Sequence, residues 1–107
     1  MERVAFKMKL KPNFEQEYKR RHDEIWPELA EELSRAGVCD YSIFLDRETL
    51  TLFAFQKLQE GNTADSLPEA EVVKRWWEYM KDIMDTNPDN SPVSVPLEEV
   101  FHLSCVR

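Results

Sequence analysis

Hydrophobic and polar residues alternate along the first ten positions of the chain. In "RVAFKMKL" every second side chain is apolar: Val4, Phe6, Met8 and Leu10. A period of two is typical of a strand with one buried face. Pro12 and Asn13 follow and favour the end of the strand and the start of a helix.

A helical period replaces the alternation from Phe14 to about Ala36, and Gly37 stands where helices commonly end at positive φ. Pro27 lies inside this segment. A proline ring clashes with the preceding helical turn and removes an N–H donor, so we expect a bend near Trp26. At 100° per residue, one arc of about 120° carries Phe14, Tyr18, His22, Ile25, Trp26, Leu29 and Leu33. The pattern therefore predicts that His22 lies on the buried side, and that Arg20, Arg21, Asp23, Glu24, Glu28 and Glu31 lie outside it.

Two strand-like runs, "YSIFLD" and "LTLFAFQKL", are separated by the polar "RET" and predict an antiparallel hairpin. Ser66-Leu67-Pro68-Glu69 has the form of a capping box, which predicts a second helix that continues to about Met84. The segment from Asp85 to Pro96 is rich in turn-forming residues and predicts an ordered loop. "EEVFHLSCV" then predicts a last strand.

The predicted element order is β-α-β-β-α-β, which is typical of an α+β, ferredoxin-like domain with two helices on one face of a four-stranded sheet. Residues 1–107 are enough for one such domain. The strand "LTLFAF" is apolar on both faces, with Leu52 and Ala54 on one and Phe53 and Phe55 on the other. Because one face would otherwise be exposed, we predict a homodimer that packs sheet against sheet.

Composition excludes several partners. The chain has 14 Lys and Arg against 21 Asp and Glu, a formal charge of −7 at pH 7, so nucleic acid and anionic membranes are not expected partners. No apolar run approaches the roughly 18 residues of a membrane span, and the N-terminus lacks the apolar core of a signal peptide, so we expect a cytoplasmic protein.

No metal or nucleotide cofactor is predicted. Cys39 and Cys105 are isolated in sequence and accompanied only by His22 and His102 as further soft ligands, which argues against a zinc site and for reduced thiols. Only two glycines are present, and neither belongs to a phosphate-binding motif.

Tyr18 and His22 are four residues apart, so on one helix face their side chains lie about 6 Å apart at Cβ and can converge on one ligand. The alternative is a buried histidine that only satisfies a backbone carbonyl. Trp76 and Trp77 point about 100° apart on the second helix and suit either stacking on a sugar or core packing. Tyr41 is a candidate hydroxyl at a cavity rim. Four acidic side chains stay open as site residues or solvated groups: Asp40, Asp46, Asp82 and Asp89.

Four segments, "EYKRRHDEIWPEL", "YSIFLD", "WWEYM" and "TNPDNSPV", resemble the L-rhamnose mutarotase family in order and spacing over nearly the whole chain. The resemblance implies a dimeric α+β barrel that interconverts the α and β anomers of L-rhamnose in carbohydrate metabolism, without metal or nucleotide. It implies that His22 is the catalytic proton donor, and that Tyr18, Tyr41, Trp76 and Trp77 bind the sugar.

Two other functions stay open on the sequence. One is a cofactor-free monooxygenase of the dimeric α+β barrel class, since Tyr, His and Trp side chains also suit an aromatic substrate. The other is a non-catalytic sugar-binding dimer, since a fold alone does not fix a function. Mutarotation itself needs a group that gives and regains a proton near neutral pH, which favours His22 as general acid.

Overall fold

A computed structural model describes residues 1–105 and shows a four-stranded antiparallel sheet with helices packed on one face. The helices are α1 (Glu15–Asp23), α2 (Pro27–Arg35) and α3 (Glu71–Met80), with a 3-10 helix at Ala64–Glu69. The strands are β1 (Glu2–Lys9), β2 (Val38–Asp46), β3 (Thr51–Leu58) and β4 (Val95–Leu97). None of the helices in this part of the chain is long and apolar enough to cross a membrane.

The strand order is β2-β3-β1-β4, and each neighbouring pair is antiparallel. This is the predicted ferredoxin-like topology, with the first and third strands in the centre. Met8 of β1 faces Leu52 of β3, and Leu52 in turn faces Leu45 of β2, so the alternating apolar residues form continuous rows across the sheet. The α+β fold predicted from the hydrophobic pattern is confirmed.

The bend predicted near Trp26 is a complete break between α1 and α2. Trp26 has extended backbone angles, φ −61° and ψ 129°, as the residue before a proline favours. Pro27 is then the first residue of α2, where its missing N–H costs nothing. Gly37 follows α2 with φ +92°, as predicted for a helix end. The break lets two short helices follow the twisted sheet, with His22 in the last turn of α1.

The core lies between the sheet and the three α-helices. It is built from the inward row of the sheet, one face of each helix and the turn after α3: Met8, Leu10, Tyr18, Leu29, Leu52, Ala54, Val73, Trp76, Met80, Ile83 and Met84. Leu10, Leu52 and Ile83 are almost fully buried. Apolar burial of this kind is the main favourable term in folding.

The last predicted strand, "EEVFHLSCV", is wrong. The fourth strand is β4, which begins in the segment predicted as a loop and ends one residue after it, and residues 98–105 are exposed and have no regular structure. The prediction's last residue, Val106, lies outside the described residues. In the antiparallel register Leu97 faces Ala5 and Val95 faces Lys7. Because β1 begins at Glu2, it extends only three residues beyond Ala5 and offers partners to at most the first three residues of the predicted strand. The loop between α3 and β4 sets this register.

The second predicted helix is shorter than expected at both ends. Ser66 lies in the 3-10 helix rather than at the cap of α3, where Ala70 is the N-cap and no side chain caps the helix. Pro68 stands inside that 3-10 helix. At the other end α3 stops at Met80, because the backbone of Ile83 and Asp85 then pairs with the end of β1: Lys11 donates to the Ile83 carbonyl and Asp85 donates to that of Lys9.

Candidate active site

A cavity of about 1300 Å³ opens between the inner face of the sheet and the helices. Its walls combine apolar side chains with a small set of polar groups, as small-molecule sites usually do. All five residues proposed from the sequence line it: Tyr18, His22, Tyr41, Trp76 and Trp77. The fold therefore brings together side chains from α1, β2 and α3 that are up to 59 positions apart in sequence.

Tyr18 and His22 lie side by side on α1, as the helical spacing predicts. Their rings are stacked with centroids 4.3 Å apart and planes 27° apart. The Nδ1 atom of His22 lies 3.0 Å from the carbonyl oxygen of Tyr18. Tyr18 is 8% exposed and His22 is half-buried, so the pair presents polar atoms to the cavity from an otherwise apolar wall.

Trp76 also packs against the imidazole of His22. Its ring meets that of His22 edge to face at a centroid distance of 5.4 Å. Trp26 and Tyr79 pack on the same indole at 5.0 Å and 5.6 Å. Edge-to-face contacts of this kind stabilise one ring orientation, so the aromatic cluster holds His22 in place. The helical arc predicted from the sequence already placed Trp26 on the same side as His22, but its contact with Trp76 follows from the break before Pro27.

Trp77 differs from its neighbour in burial. Trp76 is 9% exposed and belongs to the core, whereas Trp77 is half-buried and lines the main cavity and a smaller surface pocket. The 100° offset between adjacent helical residues is the reason for this division. Trp77 is therefore more accessible to a ligand than Trp76.

Tyr41 reaches the cavity because of a bulge in β2. Cys39 faces Lys57 of β3, but Ser42 faces Phe55, so two residues of β2 lie opposite a single residue of β3 and β2 has one extra residue. Asp40, within the bulge, has φ +48°, a left-handed conformation that Asp tolerates better than most residues. The bulge changes which face the later residues of β2 occupy, and Tyr41 lines the cavity instead of the outer face.

The environment keeps the site neutral near pH 7. Burial lowers the pKa of His22 below its ordinary value of 6.5, although the hydrogen bond with the Tyr18 carbonyl and the charge of Asp23 oppose this change. Burial also raises the pKa of both phenols, Tyr18 and Tyr41. The imidazole is therefore uncharged and both phenols keep their protons.

The loop after α3 closes one side of the cavity, a role that the sequence did not reveal. Asn87, Asp89 and Ser91 all line the cavity. The loop is braced internally, since the backbone N–H of Asn87 donates to the Ser91 carbonyl over 2.8 Å and the backbone N–H of Ser91 donates to Asp89 over 3.0 Å. Asn90 ties it to α3 by donating to Glu78 over 2.7 Å. Three polar side chains thus join the site on rigid backbone.

The four acidic candidates have different positions. Asp40 and Asp89 line the cavity. Asp46 instead organises the β2–β3 turn by accepting from the Glu48 backbone and the Thr49 hydroxyl, and Asp82 pairs with Arg21. Across residues 1–105, His, Cys, Asp and Glu side chains form no group of three that would hold a metal ion.

Arg21 contradicts the helical projection, which placed it among the solvent-facing residues. Its side chain is 9% exposed. The guanidinium lies 4.4 Å from the Tyr79 ring centroid and donates to the Tyr79 carbonyl over 2.7 Å. The end of α3 and the turn after it cover this flank of α1, and a projection of one helix does not include such a neighbour.

Comparison with known proteins identifies the family. The sequence model of the L-rhamnose mutarotase family matches residues 3–103. The L-rhamnose mutarotase of Formosa agariphila is 58% identical over 103 residues, which is 96% of this chain and 99% of that protein. The L-rhamnose mutarotase of Bacteroides thetaiotaomicron is also 58% identical, with the same coverage. The chain belongs to the L-rhamnose mutarotase family.

Solved structures agree with the membership in the mutarotase family. The crystal structure of the Formosa agariphila L-rhamnose mutarotase has a TM-score of 0.91 at 57% identity and covers 97% of this chain and 100% of that one. A Mycobacterium tuberculosis protein with 10% identity has a TM-score of 0.60, covers 95% of this chain and 97% of its own, and shows the shared fold alone. Because mutarotases interconvert anomers, the family places this chain among the isomerases, in agreement with the expectation from the sequence.

Proposed function

We propose that this protein interconverts the α and β anomers of L-rhamnopyranose in the cavity between α1, β2 and α3, with His22 as the group that exchanges protons with the sugar. The observation that carries the proposal is the placement of an uncharged imidazole beside two phenols and two indoles in one cavity, in a chain of the mutarotase family. The monooxygenase and binding-module alternatives have no observation of their own in favour.

The roles of the side chains follow from what mutarotation requires. A proton must leave the anomeric hydroxyl and one must reach the ring oxygen, after which C1 rotates in the open aldehyde and the ring closes again. A histidine serves both directions because it titrates near neutral pH. Tyr18 and Tyr41 supply hydroxyl groups for orientation, and Trp77 supplies an apolar surface that suits the methyl group of a 6-deoxy sugar. None of these steps calls for a metal or an organic cofactor.

The proposal is tested by proton NMR exchange between the two anomeric signals of L-rhamnose. We expect micromolar protein to raise the exchange rate well above that of the sugar in buffer. L-fucose, another 6-deoxy sugar, and D-glucose measured in parallel would define the substrate range. An exchange rate equal to that in buffer for L-rhamnose would contradict the proposal, and binding without exchange would indicate a binding protein instead.

The outer face of the sheet supports the homodimer predicted from the sequence. Two central rows across the sheet are mostly apolar and consist of Phe44, Phe53, Lys7 and Val95 in one and Ser42, Phe55, Ala5 and Leu97 in the other. Phe44 is 63% exposed and Phe55 is 52% exposed. The flanking rows are more polar, with Thr51 and Lys9 on one side and Lys57 on the other. An apolar centre with a polar rim is typical of a protein interface.

Replacing Phe55 with Asp is expected to convert the dimer into a monomer, because it places a charge in the centre of the proposed interface. Sedimentation velocity of the wild type at micromolar concentration should give twice the mass of the 12.7 kDa chain. Ser66→Asp is the matched control, since it adds the same charge at an exposed position in the helical layer. A wild type that sediments as a monomer would contradict the proposed dimer.

A cytoplasmic location fits the state of the two cysteines. Cys39 and Cys105 are both free thiols in the structure, and Cys105 is exposed. Free exposed thiols persist in a reducing compartment. The location itself stays a prediction from the sequence.

A further inference from the structure

The contact between His22 and Tyr18 determines which ring nitrogen carries the proton. Nδ1 of His22 lies 3.0 Å from the Tyr18 carbonyl oxygen. A carbonyl oxygen only accepts hydrogen bonds, so Nδ1 must be the donor. In a neutral imidazole with its proton on Nδ1, the other nitrogen, Nε2, carries a lone pair. The nitrogen left free for a ligand is therefore a proton acceptor.

The surroundings of the imidazole keep it in this neutral form. The two rings packed on it, Tyr18 and Trp76, are uncharged. Burial is the largest influence on its pKa and lowers it, while Asp23 acts in the opposite direction. The other charged groups that line the cavity have both signs and lie on α1, on β2, in the turn after β2 and in the loop after α3: Glu15, Lys19, Asp40, Arg47 and Asp89. At pH 7 His22 is thus positioned as a base.

Tyr41 is the better placed of the two phenols to act as the matching acid. It enters the cavity from β2, whereas His22 enters from α1, so a sugar between them meets a donor and an acceptor from opposite walls. A hydrogen bond with Gln56 opposes the rise in the pKa of Tyr41, and a negative charge on Tyr41 raises the pKa of Tyr18. The hydrogen bond with Gln56 therefore stabilises the anion of Tyr41 and favours Tyr41 as the proton donor.

We propose that during ring opening Nε2 of His22 takes the proton of the anomeric hydroxyl while the Tyr41 phenol gives its proton to the ring oxygen. The O–H bond at C1 breaks, its electrons form the C1 carbonyl, and the bond between C1 and the ring oxygen breaks with its electrons going to that oxygen. The products are the open aldehyde, an imidazolium and a phenolate. This inference rests on the proposed mutarotase function.

Ring closure reverses the proton transfers of ring opening, starting from the His22 imidazolium and the Tyr41 phenolate. After C1 rotates, the imidazolium returns its proton to the carbonyl oxygen and the phenolate takes the proton of the attacking hydroxyl. The two opposite charges form together, so they attract each other across the bound sugar. His22 is the proton donor expected from the family resemblance, but in this second half of the reaction. Both side chains finish in their starting states, so no other reactant is needed.

The pH dependence of anomer exchange distinguishes this order from one in which His22 begins protonated. After subtraction of the rate in buffer, we expect kcat/KM to be constant from about pH 7 to 9 and to fall about tenfold per unit below the His22 pKa. A group that must begin protonated would instead give a rate that falls as pH rises through that pKa. Circular dichroism at each pH confirms that the protein stays folded. A rate that declines between pH 6 and 8 would overturn the proposal.

The tautomer is measured independently of activity. His102→Gln leaves His22 as the single histidine of the chain, so a long-range proton–nitrogen NMR spectrum of histidine-labelled protein reports on one ring. At pH 7.5 we expect a protonated Nδ1 and an unprotonated Nε2. A proton on Nε2 would overturn the proposal even where exchange is fast. Absence of exchange with the expected tautomer would instead contradict the mutarotase function.

The two phenols are separated by matched substitutions. Tyr41→Phe should lower kcat by about 10- to 100-fold with little change in KM, because a general acid acts mainly in the transition state. Tyr18→Phe keeps the carbonyl that orients His22 and should lower kcat by less than about fivefold. A larger loss of kcat in Tyr18→Phe than in Tyr41→Phe would assign the general acid to Tyr18 and overturn the role proposed for Tyr41.

Discussion

Replacing His22 with Gln is expected to remove most of the acceleration of L-rhamnose anomer exchange, by about 10²- to 10⁴-fold, the usual contribution of a general acid or base. Gln still donates a hydrogen bond to the Tyr18 carbonyl but does not exchange protons near neutral pH. The loss should appear equally in kcat and kcat/KM, because the interaction that is removed acts in the transition state.

The matched control for this substitution is His102→Gln, the same change at an exposed histidine in the C-terminal segment. It should keep the wild-type rate. Circular dichroism and thermal unfolding establish that His22→Gln is folded, so that a lost rate reports on chemistry. More than half of the wild-type rate in His22→Gln would remove His22 from the proposed role, whatever the effect of the control.

Replacing Arg21 with Met is expected to lower the free energy of unfolding by about 1–3 kcal/mol, because several part-buried polar contacts lose their donor. Arg21 donates to Glu17 over 2.6 Å and to Asp82 over 3.0 Å, in addition to the Tyr79 carbonyl. The Tyr79 carbonyl belongs to the last turn of α3, so one side chain joins α1 to α3. The same two helices carry His22 and Trp76.

Arg20→Met is the matched control. Arg20 also pairs with Glu17, over 2.7 Å, but its side chain is 50% exposed, so its removal should cost much less stability than removal of Arg21. Urea unfolding at pH 7 measures both values. Equal stability of the two variants would contradict the structural role assigned to Arg21.

Lowering the pH should reduce the difference in the free energy of unfolding between the wild type and Arg21→Met. Hydrogen bonds from Arg20 and Arg21 lower the pKa of Glu17 from 4.5 to about 2, and Arg21 also lowers the pKa of Asp82. A carboxylate with a lowered pKa in the folded state stabilises the protein above its unfolded pKa and loses this effect as pH falls through the folded value. Between about pH 4.5 and 2 the wild type should therefore lose more stability than the variant.

Much of the site followed from local spacing. Tyr18 and His22 share a helix face because helical residues four apart are neighbours, and this holds in any fold that keeps α1 intact. Pro27 likewise had to interrupt its helix, since no tertiary contact restores a missing N–H. Assignment of a sugar as the substrate depended on the family resemblance, since no spacing rule distinguishes a sugar site from an aromatic core.

Other features depended on contacts between distant segments. The predicted last strand is wrong, and in the observed register β1 is too short to pair with more than its first three residues. The helix predicted to reach Met84 ended early because the backbone near Ile83 pairs with β1 instead. Arg21 was assigned to solvent because a helical projection contains no information about the helix packed beside it.

The sequence by itself determined the α+β class, an irregularity of the first helix near Trp26 and the common face of Tyr18 and His22, since periodicity and proline geometry are local properties of the chain. Only the tertiary structure decided that Tyr41 faces the cavity, because a bulge at Asp40 changes the face of β2 that it occupies. It also decided the tautomer of His22, since that depends on the position of one carbonyl oxygen to within a few tenths of an ångström. Strand register and hydrogen-bond geometry arise from packing, and packing involves residues far apart in the chain.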